Sequence, residues 1–216
     1  MKIYQAIILG IIQGLTEFLP VSSSAHLNLF PWLLGWGEMP ESFDVALHVG
    51  TLLAIVIFFF KDWVNLFVGG YNQVVKKKKT TEGKIFWYLV LSTIPAGVLS
   101  LILDKISKAL FEKSLNVEML VIGITLIVMG IILYVVDKKS KSNIKYEKMT
   151  LKQSMLIGTS QCLAAAFPGV SRSGITMTVA RALGIDREGA ARYSFLLATP
   201  ITAAAVIFDL GKFQFT

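Results

Sequence analysis

Gln13 and Glu17 stand four residues apart, Ser23 follows Glu17 by six, and His26 comes three further on. On a helix the first two share a face, and their side-chain oxygens suit a hard divalent cation such as Mg²⁺ or Ca²⁺. Pro20 ends that helix, so Ser22, Ser23 and Ser24 fall at the start of the next. There hydroxyls cap, and free backbone N–H groups attract anions. Ser23 and His26 then lie on roughly one face of the second helix. A hydroxyl needs such a base, or a metal, to act as a nucleophile at neutral pH. Serines in this position more often only cap a helix, and Glu17 alone could end a span in water. An ionisable Glu and His inside apolar sequence tip the reading toward function, because charge within a membrane is costly.

A second polar interruption runs Pro168-Gly169-Val170-Ser171-Arg172-Ser173-Gly174-Ile175-Thr176. Gly169 and Gly174 permit tight backbone and close ligand approach. Arg172 carries permanent donors suited to phosphate oxygens, and Ser171, Ser173 and Thr176 add donors at another helix start. The competing reading of Arg172 is a side chain snorkelling to a headgroup. One interruption offers carboxylate, hydroxyls and imidazole; the other offers a guanidinium clamp. Together they describe phosphoryl transfer.

The elements that must hold these groups are apolar. Of 216 residues, 54% are hydrophobic and 16% charged, where soluble domains carry about a quarter charged; mean hydropathy is +0.65. The runs Phe43–Phe60, Ile85–Leu103, Val117–Val136 and Tyr193–Phe208 approach the length of a membrane crossing. The expected fold is all-α, a polytopic integral membrane protein in one membrane domain spanning residues 1–216. Trp63–Val75 has helical spacing of apolar residues and suits a helix lying in the interface. Met1-Lys2 and Ile3–Ile12 resemble a signal peptide, but no small-residue cleavage site follows, so this segment is expected to be mature protein. The lone Cys162 excludes an internal disulfide framework and a thiolate metal set.

The net charge of +7 gathers in two short loops, Lys76–Lys79 with Lys84, and Lys138, Lys139, Lys141, Lys145 and Lys148. That distribution is the positive-inside bias of a membrane protein and argues against nucleic acid as a partner. Two spans separate the loops, so both can be cytoplasmic, with Asp104–Asn116 and both termini outside.

Two apolar stretches break in the middle. Ile3–Leu19 stops at Pro20 and resumes after the serines to Trp36; Leu151–Phe167 stops at Pro168 and resumes to Leu183. Each half is too short to span, so each pair suits a re-entrant hairpin whose turn is covered by protein or a wet cavity. Gln13, Leu15, Leu19, Pro20 and Ser23 match Gln161, Leu163, Phe167, Pro168 and Ser171 at one constant offset. With the charge-derived topology this makes an inverted repeat, residues 1–104 and 116–216, its site near the midplane.

The segments QGLTEFLPVSSSAH and PGVSRSGIT resemble the two signature motifs of the undecaprenyl-diphosphate phosphatase family of the bacitracin-resistance type, and FDVALHVGTLLAIV and YSFLLATP extend the likeness along nearly the whole chain. The resemblance implies removal of the terminal phosphate from a polyprenyl diphosphate lipid, regenerating the monophosphate carrier for cell-wall polymers. It implies a metal-dependent site in the plasma (inner) membrane, opening toward the outer face. It implies Gln13 and Glu17 at a divalent cation, Mg²⁺ or Ca²⁺, with Glu17 the main carboxylate because Gln13 is neutral. Ser23 matches the favoured nucleophile, His26 the motif histidine and Arg172 the arginine that holds the diphosphate; between Ser23 and His26 the division into nucleophile and base stays open. Ser22, Ser24, Ser171, Ser173, Gly174 and Thr176 would line the pocket.

Two departures stand out. Ser24-Ala25 replaces the more usual Thr-Gly, and His48, near Asp44, stands where an amide is expected and reads as a satisfied polar residue. Relatives of this type continue for further spans beyond the position of Thr216, so the second repeat is expected to be incomplete. The chain is then truncated, a minimal variant, or completed by an oligomeric partner. The rival to an enzyme is an inverted-repeat transporter or lipid flippase, which shares the broken-helix architecture. A non-catalytic lipid-binding scaffold is the third reading.

Overall fold

The computed structural model describes residues 1–37, 39–111, 114–141 and 144–213. In chain order the helices are α1 (Ile3–Thr16), α2 (Ser23–Leu33), α3 (Glu41–Phe58), α4 (Phe60–Val75), α5 (Thr81–Phe111), α6 (Leu115–Lys139), α7 (Leu151–Thr159), α8 (Cys162–Ala166), α9 (Arg172–Ala182) and α10 (Arg187–Phe213), with a 3-10 turn at Tyr146–Lys148. The protein is an all-α polytopic membrane protein. Among the described residues, α3, α5, α6 and α10 are long and apolar enough to cross a membrane. They carry the four apolar runs named above, with α3 stopping at Phe58, just short of the end of its run. Of the expected outer segment Asp104–Asn116, residues 104–111 continue α5 and 115–116 begin α6, while residues 112–113 lie outside the described residues.

The distribution of polarity explains the class. Large apolar side chains such as Ile57, Phe58, Leu120, Ile127 and Ile207 face outward, whereas Gln13, Glu17, Ser154, Thr176, Arg181 and Ser194 are buried. An apolar exterior of that extent suits lipid and not water. Most of these buried groups bond to one another, as Thr176 does to Ser194 and Ser154 to Tyr193.

Small residues let the helices approach. A Cβ added at Gly69 in α4 would lie 2.6 Å from the backbone nitrogen of Gly83 in α5, and one at Gly158 in α7 would lie 2.7 Å from Ser92 Oγ in α5. Such close small-residue contacts are the usual device for packing helices in lipid. The expected interfacial segment Trp63–Val75 is helical within α4, and it folds back on α5 with Phe67 against Phe86 at 5.2 Å between ring centroids. Tyr193 of α10 is fully buried at the centre, its hydroxyl 2.7 Å from Ser154 Oγ.

The two basic loops meet. Lys84 Nζ, just beyond the first, donates to the carbonyl of Glu147 in the second at 2.5 Å. Nearby, Asp137 takes Arg181 at 2.7 Å and Arg187 at 2.8 Å. Asp186 caps α10 by accepting from the Gly189 amide at 2.9 Å. The hydrogen bond from Lys145 holds the Asp186 carboxyl below its ordinary pKa. The element order helix, polar turn, helix, long helix occurs twice, as α1–α2–α3 and as α7/α8–α9–α10.

Candidate active site

The first polar turn starts where α1 ends. Glu17 is the C-terminal cap of that helix, its amide bonded to Gln13 O at 3.0 Å. After Pro20 the chain reverses at Ser22, whose φ of 65° is left-handed for a residue with a side chain. Strain of that kind costs about 1–3 kcal/mol and gathers at functional turns. The second turn is set by Gly169, at φ 88°. A Cβ there would sit 2.9 Å from the Ile122 backbone, so only glycine lets the turn seat on α6. Thr125 Oγ1 of α6 completes the seat by donating to Pro168 O at 2.6 Å.

The turns cross. Ser171 caps α9 through the Gly174 amide at 3.1 Å, and Ser173 Oγ donates to Leu19 O at 2.9 Å. A Cβ on Gly174 would come within 3.3 Å of Pro20 O. Gly174 therefore serves the approach of one turn to the other.

Glu17 is where the two halves join. It is 9% exposed. Its Oε1 pairs with Arg172 Nη2. Its Oε2 accepts from Ser23 Oγ at 2.5 Å and Gln13 Nε2 at 3.1 Å, and His48 Nε2 lies 3.8 Å away. Arg172 Nη1 reaches Thr202 Oγ1 and, at 3.4 Å, Ala198 O, both on α10.

A cavity of about 410 Å³ opens on this junction, and Glu17, Ser22, Ser23, Ser24, Ser171, Arg172 and Ser173 are on its wall. Four residues expected at the site are not on this wall, Gly174 among them, which the approach of the two turns takes up. His26 turns its Nδ1 to Ser22 O at 2.7 Å and stacks on Phe30. Thr176 bonds Ser194 Oγ at 2.6 Å and fastens α9 to α10. Gln13 is fully buried behind Glu17. The cavity wall also holds His48, Gln161 and Thr202, none of which the motifs assigned to the site. The signal for Thr202 was available, since it is a hydroxyl within an otherwise apolar span. Gln161 was visible only as the repeat partner of Gln13.

Among the described residues no three of His, Cys, Asp and Glu converge as a metal cluster. Ser23 Oγ and His48 Nε2 stand beside Glu17, and Gln13, which reaches Glu17 through Nε2, has its Oε1 buried without a partner in the protein. An orphaned amide oxygen next to a carboxylate fits a hard cation that completes its shell with water and phosphate.

An apolar helical bundle here closes a carboxylate, a hydroxyl and a guanidinium around one cavity, a set of groups suited to an anion. Residues 6–216 match the model of the family described as bacitracin resistance protein BacA, and the chain belongs to that family. An undecaprenyl-diphosphatase of Pelotomaculum thermopropionicum is 50% identical over 210 residues, 97% of this chain and 76% of the relative. One of Caldicellulosiruptor bescii is 48% identical over 98% of this chain and 77% of the relative. One of Gemmatimonas aurantiaca is 45% identical over 97% and 77%. The chain thus spans about three quarters of the length of these relatives.

Proposed function

We propose that the protein hydrolyses the terminal phosphate of undecaprenyl diphosphate, leaving the lipid monophosphate. The carrying observation is Glu17, one carboxylate that pairs with Arg172 and accepts the Ser23 hydroxyl proton at 2.5 Å. Ser23 Oγ attacks the terminal phosphorus as Glu17 Oε2 takes its proton. The bond from phosphorus to the bridging oxygen breaks, and the lipid monophosphate leaves. Arg172 holds the equatorial oxygens, where charge grows in the transition state. Ser171, whose hydroxyl lies 3.1 Å from that of Ser173, donates from the second turn, while Ser173 is held by Leu19 O. A divalent cation, Mg²⁺ or Ca²⁺, held by Glu17 with Gln13, supplies Lewis-acid stabilisation of phosphate charge when bound. Water then releases phosphate from Ser23.

We place the site in the plasma membrane, facing away from the basic loops. Asp104, on the cavity wall, is near the end of α5, and Lys84, beside Glu147, is near its start. With those loops cytoplasmic, the cavity opens outward. The twofold element order and the crossing of the two turns support paired re-entrant hairpins of opposite entry.

The test is phosphate release from a polyprenyl diphosphate in detergent. Ser23→Ala and Arg172→Ala are each expected to lower the rate about 10²-fold or more. An inactive native protein, or an Arg172→Ala variant at full rate, refutes the assignment.

A further inference from the structure

His48 is built like a metal ligand. Its Nδ1 lies 2.8 Å from the carbonyl oxygen of Asp44 one turn earlier on α3. A backbone carbonyl accepts but cannot donate, so Nδ1 carries the hydrogen and, in the neutral ring, Nε2 keeps its lone pair. Metal-bound histidines have this second bond, which fixes the tautomer and the ring plane; His26 has it too, to Ser22 O, and what sets His48 apart is its place on the cavity wall beside Glu17. His48 lines the cavity, and its Nε2 stands 3.8 Å from Glu17 Oε2. That is too long for a hydrogen bond. In the neutral ring the Nε2 lone pair and the carboxylate oxygen are both acceptors, so neither satisfies the other directly. A cation between them does. With bonds of about 2.1 Å, two donors on one metal lie roughly 3.0–3.5 Å apart at ordinary coordination angles, so a few tenths of an ångström of movement closes the site.

We infer that His48 Nε2 is a ligand of the same cation that Glu17 and Gln13 hold, which makes this a mixed nitrogen–oxygen site. The inference rests on the proposed cation site and adds a residue and a selectivity to it. Carboxylate, amide and water oxygens alone favour Mg²⁺ and Ca²⁺; an imidazole shifts preference toward Mn²⁺, Zn²⁺ and their neighbours.

The chain has two histidines, His26 and His48, which makes the assignment direct. Mn²⁺ is added to the detergent-purified chain, and its nitrogen couplings are read by pulsed electron paramagnetic resonance. Imidazole ¹⁴N modulation is expected in the native protein and in His26→Gln, and its loss in His48→Gln. Mn²⁺ affinity should fall about tenfold or more in His48→Gln, with Ca²⁺ affinity changing less. Failure to bind Mn²⁺, a native spectrum without ¹⁴N modulation, or modulation that survives His48→Gln overturns the inference. The native spectrum decides even if a variant folds poorly. Phosphate release is a separate readout: nitrogen coupling in a protein without phosphatase activity removes the proposed reaction and leaves the ligand assignment in place.

Discussion

Arg172 does two jobs with one planar group: Nη2 meets Glu17 and Nη1 meets Thr202 and Ala198 O. A lysine keeps the charge but presents a compact point donor without the rigid fork. Arg172→Lys is therefore expected to lower kcat/KM for phosphate release about 10²-fold, the usual cost of one misplaced transition-state donor; steady-state kinetics checks it, and a change under about threefold would refute the fork's importance. Glu17, Ser23 and Arg172 were legible as residues because each is a polar group in an apolar run, where chance placement is expensive. His48 was not. Its meaning depends on α3 passing beside the end of α1, a long-range contact that no local spacing encodes. His26, three residues after Ser23, has the better spacing, but it stacks on Phe30 and is not on the cavity wall.

At the scale of elements, the second turn is aimed by its seat on α6. Gly169→Ala adds a Cβ where φ is 88° and where Ile122 backbone lies within 2.9 Å. Expected effects are about 1–3 kcal/mol of strain, a lower midpoint of thermal unfolding in detergent, and reduced turnover even in the folded fraction. Unchanged turnover at full folding would mean that the seat does not aim Arg172. The spans were readable because an uninterrupted apolar run of that length finds its natural solvent in a bilayer. Finer breaks were not. Leu151–Phe167 reads as one helical arm, yet it divides into α7 and α8, where Ser160 Oγ donates to Ile157 O at 2.6 Å and Gln161 Nε2 to Gly158 O at 3.1 Å. Side chains that bond nearby backbone in this way compete with the helix. The docking of α4 on α5 depends on glycines at Gly69, Gly70 and Gly83, whose register shows only when both helices are in place.

For the whole molecule, charge predicts the topology, and the Lys84–Glu147 contact brings both basic loops to one side. With Cys162 replaced by alanine, single cysteines at Lys78, Lys141 and Ser114 test it. A membrane-impermeant thiol reagent outside intact cells is expected to label position 114 alone, and positions 78 and 141 only after the membrane is opened. Labelling of 78 and 141 from opposite sides would break the proposed orientation.

Under the proposed reaction, the Glu17–Arg172 pair has a second consequence, for release of phosphate. A phosphate reaches the guanidinium only by sharing it with, or taking it from, the carboxylate already there. Once phosphate is cut free, the same carboxylate competes to take its partner back. An intramolecular rival is always at hand and never diffuses away, so it shortens the stay of any small anion, and it selects for a ligand that brings a second anchor. A lipid diphosphate has that anchor in its tail, and free phosphate does not. The pair that joins the two turns is therefore a built-in eluent, favouring exchange of spent phosphate for the next lipid.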